Sequence, residues 1–396
     1  LVMAQPVDRW TLPSVLVAAV ACRLEPLFAK PFLSSDIYRY VWDGIVQHAH
    51  ISPYRYVPGD AALSFLRAPH QNVFDNINRR DYAHTIYPPV AEMLFYLVTW
   101  VSPTVRGMKV AMVGFEAVTV GALLVLLKGL SRRSAEVLLY AWCPVLWWEI
   151  AGSGHLDSMA MAFIALALVT RMRRRDVWTG VFLGIAVMIK FYPLVLLPAL
   201  WRRGDWKMPA TVAAVAAFGY ACYASVGMLV FGFLGGYAKE EGIDSGARYF
   251  LLDLVRKVPG MAETPNWVFY VFCAAVFAAV MWWGWRVACQ PESAPDGFLA
   301  PAFGLAMALM LLFSPHYAWY VIWLVVFIVA MPNLPATVYV LGFFYGYTTS
   351  LATPGPTMFL LNEYLYGAVA VAFAVWLTLR RWPLHRRHFV QARVGG

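Results

Sequence analysis

Long apolar runs dominate this chain, and they constrain its fold more than any other feature. Four of them, residues 211–234, 268–285, 299–313 and 317–331, hold few or no charged residues. A helix of about 20 apolar residues is needed to cross a bilayer core. Soluble domains carry about 25% charged residues, whereas this chain carries 13%. We therefore predict an all-α polytopic membrane protein, a single integral membrane domain over residues 1–396 with about eleven to twelve membrane segments.

The net charge of +9 comes from basic residues concentrated in short loops between apolar segments. This distribution is the positive-inside pattern of membrane proteins, so we assign these loops and the tail, residues 380–396, to the cytoplasm. The charge is explained without nucleic acid, which we exclude as a partner. The basic residues are Arg171, Arg173, Arg174, Arg175, Arg202, Arg203, Lys207, Arg380, Arg381, Arg386 and Arg387.

Two long polar stretches, residues 30–86 and 235–265, stand out between the apolar segments. Long loops in a compact protein are usually functional, and we predict that both lie on the non-cytoplasmic side. Counting segments from the first loop puts Lys128 on that same side, against the charge rule. One segment, either between residues 87 and 127 or between 178 and 201, is therefore expected to be broken or re-entrant, since irregular backbone is tolerated where it lines a cavity.

The first loop opens with a segment that we predict to be an amphipathic helix at the membrane interface. Asp36, Tyr40, Asp43 and Gln47 recur at helical spacing and form one polar stripe, with Arg39 close by. Asp36 is suited to act as a general base towards an acceptor hydroxyl. Asp36 and Asp43 could equally hold a divalent cation such as Mg²⁺ or Mn²⁺. A capped, solvated helix without catalytic function is the alternative.

Polar residues inside the apolar segments are the next candidates, because they are costly in a membrane and usually functional. His155 and Asp157 flank a glycine-containing break, and Lys190 lies in an otherwise apolar stretch. An ammonium in such a place needs an anion, which is either a carboxylate such as Asp157 or the phosphate of a ligand. Glu92 lies one turn after a rigid Tyr87-Pro88-Pro89 entry and is placed to face a cavity.

Two further cations lie near the predicted non-cytoplasmic end. Arg248 is able to hold a phosphate through two hydrogen bonds, and His316 is expected at the same membrane face as Asp36. For His316 a purely structural role is the alternative. The sequence contains no P-loop and no cytoplasmic domain for a nucleotide. A sugar transferase built on this chain would therefore need a donor other than a nucleotide sugar.

These motifs, taken together and in this order, resemble bacterial multi-pass glycosyltransferases of the GT-C superfamily. The resemblance is strongest to family 87 and to the mannosyltransferases that use polyprenol phosphomannose. It extends from Ser35 to about Trp323, most of the chain. The motifs are residues 35–44, 52–56, 87–89, 154–157, 190–193 and 314–317.

The resemblance implies a GT-C-like helical bundle in the bacterial inner membrane, with the active site facing outward. It implies an inverting transfer of a hexose, with mannose as the expected sugar, from a polyprenyl-phosphate donor to a glycan or lipid acceptor among membrane lipids. The essential acid of the family maps onto Asp36, with Lys190, Arg248 and His316 as candidates to stabilise the leaving phosphate. The remaining expected substrate-binding residues are Arg39, Asp43, Tyr87, Glu92, His155, Asp157 and Tyr192.

One segment departs from the family pattern and leaves the acceptor open. Relatives often have Trp- and Asn-rich sequence in the second outer loop, whereas this chain has a charged run at residues 239–244. Three functions other than sugar transfer are the alternatives. A transporter or flippase of a lipid-linked sugar would show inverted repeats, which we do not find in the sequence. A membrane acyltransferase would need a His-centred site, and a scaffold in a glycan assembly complex would have no enzymatic activity.

Overall fold

The computed structural model describes residues 11–31, 34–288, 296–344 and 356–394. Every regular element in these ranges is helical, which confirms the predicted all-α class. The predicted tail continues the last helix as far as Val394, and its final two residues lie outside the described ranges. The helices are α1 Thr11–Phe28, α2 Asp36–His48, α3 Ser64–Arg67, α4 Gln71–Phe74, α5 Pro89–Val101, α6 Val105–Gly129, α7 Leu138–Ala141, α8 Pro144–Leu146, a π-helix at Trp147–Gly152, α9 Asp157–Met172, α10 Asp176–Val187, α11 Leu197–Leu200, α12 Lys207–Cys222, α13 Leu234–Glu240, α14 Phe250–Arg256, α15 Asn266–Ala288, α16 Leu299–Phe313, α17 Leu324–Ala330, α18 Leu334–Gly342 and α19 Pro356–Val394.

Few of these helices are long enough to cross a bilayer alone. Within α6, α15 and α19 the structure has three stretches that are long and apolar enough. The number rises to five if each of two sharply bent helix pairs counts as one span. One pair bends by 120° at the break before α9, and the other bends by 112° at the break after α12. The sequence predicts eleven to twelve segments, so most of those are short or interrupted helices. Proline and 3-10 turns cause the interruptions, because they break the regular hydrogen-bond ladder.

Contacts between α1 and α6 show how the two helices run. The Lys109 ammonium, near the start of α6, donates to the carbonyls of Pro26 and Ala29 at the end of α1, at 2.9 and 2.8 Å. About two turns further along α6, Glu116 forms an ion pair of 2.6 Å with Arg23 of α1. The helices are therefore antiparallel, and α6 carries Lys128 towards the end of the bundle where α1 begins.

The sequence predicts one break, in either of two segments, and the structure interrupts both. Helix α5 is 13 residues long, ends at Val101 before α6 begins, and packs along α2. Helix α10 ends at Val187, and a 3-10 turn follows at Tyr192–Leu196. A helix as short as α5 does not cross a bilayer core alone, and this removes the conflict between segment counting and the position of Lys128.

Helix α2 is enclosed more completely than a helix lying on a membrane interface. Residues 37–46 are all buried, on the polar stripe as well as on the apolar one. Gly44 contacts Thr99 and Phe95 of α5, and Trp42 packs on Phe74 with ring centroids 5.3 Å apart. The first long loop thus folds back over α2, so its polar stripe faces protein and cavity.

The close approach of α2 and α5 predicts that Gly44 tolerates no side chain. A Cβ on Gly44 would lie 2.8 Å from the Phe95 carbonyl oxygen and 2.7 Å from Thr99 Cγ2. We expect Gly44→Ala to lower the apparent melting temperature in detergent, since overpacking costs about 1–3 kcal/mol. The matched control is Gly114→Ala on α6, where a Cβ meets nothing within 4 Å. Equal melting temperatures for the two variants would contradict this packing.

Candidate active site

A cavity of about 570 Å³ opens at the N-terminus of α2. We call it the polar cavity and define it by Asp36, Asn78, Tyr87, Lys190 and Tyr320, which all line it. The first long loop with Tyr87 directly after it, the break after α10, and the 3-10 turn at Ala318–Tyr320 supply these residues. Three chain segments far apart in sequence therefore meet at the acid that the sequence singles out.

Asp36 lies in the first turn of α2, where the helix dipole favours a negative charge. Its carboxylate accepts a hydrogen bond of 2.8 Å from the Asn78 amide, and its backbone N–H donates to Ser34 Oγ at 3.2 Å. Burial raises the pKa of Asp36, and the Asn78 hydrogen bond and the charges of Lys190 and Arg79 offset part of that rise. Asp36 is thus a carboxyl with access to the cavity and an affinity for protons greater than usual.

Arg39 lines the polar cavity, whereas Asp43 lies behind it. Arg39 Nε donates to both Asp43 oxygens at 2.8 and 2.9 Å, and Arg39 Nη1 donates to the Ala83 carbonyl at 3.0 Å. Asp43 is 1% exposed and Glu92 fully buried. Thr85 donates to the Glu92 carboxylate at 2.7 Å. Asp43 and Glu92 therefore support the wall of the cavity and do not face it.

This arrangement bears on the metal hypothesis. Within the described ranges, no group of three or more His, Cys, Asp or Glu side chains is placed to hold a metal ion. Both Asp43 oxygens are occupied by Arg39, so the structure does not bring Asp43 to Asp36 as a second ligand. A divalent cation at Asp36 stays a prediction.

Lys190 pairs with Asp157, which is one of the two anions that the sequence suggests for it, the other being the phosphate of a ligand. Its ammonium lies 2.8 Å from both oxygens of Asp157, and Tyr192 donates to the same carboxylate at 3.3 Å. Asp157 is fully buried, whereas the Lys190 side chain is 19% exposed and lies 4.4 Å above the Tyr320 ring. Two of the three ammonium protons are used by Asp157, which leaves one for the cavity.

His155 lies behind the aromatic wall of the cavity. Its ring stacks on Trp319 with centroids 4.2 Å apart, and its Nε2 is 3.2 Å from Glu149. Trp319 and Tyr317 line the polar cavity and stack on each other at 4.4 Å. His155 therefore orients an aromatic surface and does not line the cavity itself. Such flat aromatic surfaces are suited to the apolar faces of sugars.

A second cavity, of about 610 Å³, adjoins the first and is lined almost entirely by apolar side chains of α16, α15 and the turn after α10. We call it the apolar groove. It holds Tyr192 and Arg248, whose guanidinium is paired with Glu241 and donates to the Phe313 carbonyl at 3.3 Å. Both cavities are lined by the same five residues where they meet, namely Ile86, Tyr87, Lys190, Tyr237 and Tyr320.

The structure does not bring His316 to this junction. His316 is 7% exposed and lines a separate cavity of about 380 Å³ between α18 and α19. The cause is Ser314, which takes a left-handed backbone conformation at the end of α16 and redirects the chain. Tyr320, not His316, is the residue of this segment that reaches Lys190.

Sequence reasoning missed the residues of the two loops that close the polar cavity. Asn78 binds Asp36, and Arg79 forms an ion pair of 2.6 Å with Glu240, which joins the first long loop to the second. Tyr237 of α13 contacts Tyr320 through their hydroxyls. The signal was weak, since Asn78 and Arg79 lie in a polar run without periodicity.

Comparison with known families agrees with this architecture. The sequence profile of glycosyltransferase family 87 matches residues 85–315, more than half of the chain. The chain belongs to glycosyltransferase family 87. The match includes Tyr87, Asp157, Lys190 and Arg248 and begins after the segment that carries Asp36. A comparison with functionally curated proteins found no significant match.

The surroundings of Asp36 predict how its titration depends on Asn78. An enzyme whose general base has a raised pKa loses activity as the pH falls through that pKa, because the ionised form of the base disappears. Asn78→Ala removes a hydrogen bond to the ionised form. We expect the acidic limb of the pH–rate profile to move upward by about one to two pH units, since such a bond contributes about 1.5–3 kcal/mol and one pKa unit is about 1.4 kcal/mol.

The control for this experiment is Arg80→Gln, two residues away and outside the lining of the polar cavity. Its profile should match that of the unaltered protein. An acidic limb that stays in place in Asn78→Ala would show that Asp36 is not the group whose ionisation limits the rate.

Proposed function

We propose that this glycosyltransferase transfers a hexose, with mannose as the expected sugar, from a polyprenyl-phosphate donor to a hydroxyl of a glycan or lipid acceptor. One observation carries the proposal: a polar cavity with a carboxyl and an apolar groove meet at Lys190. A polyprenyl-phosphate sugar has the same three parts in the same order. Its sugar would occupy the polar cavity, its phosphate the junction and its hydrocarbon chain the groove.

The chemistry follows from the same arrangement. The acceptor oxygen attacks the anomeric carbon and Asp36 takes its proton, while the bond from that carbon to the phosphate oxygen breaks. Attack opposite the leaving group inverts the anomeric centre. The phosphate departs towards the free proton of Lys190, and preorganised charge of this kind is usually the largest catalytic contribution. Stacked Tyr317 and Trp319 would hold the sugar.

Distribution of basic residues supports the orientation. Arg171 and Arg202 lie at the end of the bundle opposite the polar cavity, since Arg171 donates to the Leu200 carbonyl at the far ends of α9 and α11. The positive-inside rule assigns that end to the cytoplasm. The polar cavity would then face outward from a bacterial inner membrane, where nucleotide sugars are absent and lipid-linked donors are used.

Asp36→Asn tests the catalytic assignment. Purified protein in nanodiscs is offered radiolabelled polyprenyl-phosphate mannose, polyprenyl-phosphate glucose and nucleotide sugars. We expect transfer or slow donor hydrolysis from a lipid carrier only, and a rate loss of about 10² or more in Asp36→Asn, the usual contribution of a general base. Asp60→Asn, in the same loop but outside the polar cavity, is the control. Full activity of Asp36→Asn would refute the assignment.

Lys190 is tested by donor affinity. Lys190→Met leaves Asp157 as an unpaired buried charge, which is expected to destabilise the fold strongly. The informative variant is therefore Lys190→Met combined with Asp157→Asn, which keeps the site neutral. We expect it to remain folded and to bind polyprenyl-phosphate mannose in nanodiscs at least about tenfold more weakly, equivalent to about 1.4 kcal/mol.

The control for this variant is Lys207→Met, at the opposite end of the bundle. Its donor dissociation constant should be unchanged. An unchanged constant in the Lys190–Asp157 double variant would mean that the ion pair is structural and that the phosphate binds elsewhere.

A further inference from the structure

The carboxyl of Glu149 is fully buried and has no part in the proposed reaction. It lies in the π-helix Trp147–Gly152, and its Oε2 is 3.2 Å from His155 Nε2. In the described part of the chain, neither oxygen has a hydrogen bond or a second ion-pair partner. A buried carboxyl is costly unless it is paired. Glu149 and His155 therefore depend on each other, and we call them the Glu–His pair.

The backbone around the Glu–His pair is closed and tightly packed. The N–H of His155 donates to the carbonyl of Glu149 at 3.0 Å, which places both side chains on one turn. Gly154, the residue before His155, takes a left-handed conformation, and a Cβ there would clash with Ile37 of α2. Ile37 directly follows Asp36. The turn that carries His155 thus packs against the helix that carries the proposed base.

A stack of three aromatic rings leads from the Glu–His pair to the polar cavity. His155 stacks on Trp319 with centroids 4.2 Å apart and planes 16° apart, and Trp319 stacks on Tyr317 at 4.4 Å and 9°. His155 and Tyr317 are both too close to Trp319 to share one face of its indole, so they lie on opposite faces. Of the three residues, Trp319 and Tyr317 line the polar cavity. A change in the tilt of His155 would therefore reach the surface of the cavity.

We propose that Glu149 is a positioning residue for the hexose of the donor. With His155 it sets the tilt of the Trp319–Tyr317 surface, so that the sugar lies against this surface within reach of Asp36. This inference rests on the proposed function. There the phosphate and the hydrocarbon chain bind elsewhere, at Lys190 and in the apolar groove, so Glu149 should affect recognition of the sugar alone.

The test compares two lipids that differ only in the sugar. The protein in nanodiscs, without acceptor, is titrated with polyprenyl-phosphate mannose and with polyprenyl phosphate. The ratio of the two dissociation constants measures the contribution of the sugar. We expect Glu149→Leu to weaken binding of the mannose lipid about tenfold, equivalent to about 1.4 kcal/mol, and to leave binding of polyprenyl phosphate unchanged. Glu149→Gln offers His155 both a donor and an acceptor, and should keep most of the preference for the mannose lipid.

A double-mutant cycle shows whether Glu149 acts through Trp319. Trp319→Leu removes the ring itself and should lower the preference for the mannose lipid at least as much as Glu149→Leu. Glu149→Leu combined with Trp319→Leu should lose no more than Trp319→Leu alone. Additive losses would overturn the proposal. If Glu149→Leu does not fold, Glu149→Leu with His155→Leu replaces the whole pair by apolar groups and leaves no polar atom unpaired. The same loss of preference is expected from it.

The matched control is Glu136→Leu, the same substitution in a 3-10 turn outside the lining of both cavities, and it should change neither dissociation constant. An equal loss of affinity for both lipids in Glu149→Leu would show that the role of Glu149 is structural. An unaltered preference for the mannose lipid in that variant would overturn the inference and leave the proposed donor intact. Failure of the unaltered protein to bind either lipid would refute the proposed function and the inference with it.

Discussion

The ion pair between Lys190 and Asp157 joins the two places where the bundle is most irregular. Asp157 begins α9 after a bend of 120°, and Lys190 follows the end of α10. Each charge would be prohibitively costly in an apolar interior alone, and the pair offsets that cost only with good geometry. Two contacts of 2.8 Å provide it. The pair therefore stabilises two helix ends and also leaves an ammonium between the polar cavity and the apolar groove.

Irregular backbone and function coincide throughout this end of the molecule. The π-helix at Trp147–Gly152 carries Glu149, which lies 3.2 Å from His155 behind the aromatic wall of the polar cavity. The left-handed Ser314 precedes Pro315, which lines the apolar groove. Non-helical backbone at membrane depth requires partners other than lipid, and a cavity lined by polar groups supplies them. The same breaks that shorten the helices below the length of a span thus provide the side chains and backbone groups that form the site.

Charge pairing sets the character of the polar cavity. Arg39 pairs with Asp43, Lys190 with Asp157 and Arg79 with Glu240. These paired charges leave the wall of the cavity close to neutral. Under the proposed function such a wall suits a neutral sugar, with one phosphate at its edge beside Lys190.

The sequence by itself determined the all-helical membrane class, the choice of Asp36 and Lys190 as candidate site residues, the expectation of a break in one of two apolar segments, and the resemblance to the family. These depend on composition, periodicity and local motifs, which are properties of contiguous residues. It did not reveal that Asp43 and Glu92 lie behind the cavity wall, that His316 faces another cavity, or that Asn78 binds Asp36. Only the tertiary structure decided these points, because the side chains involved lie on segments distant in sequence, and burial and charge pairing between such segments depend on how the helices pack.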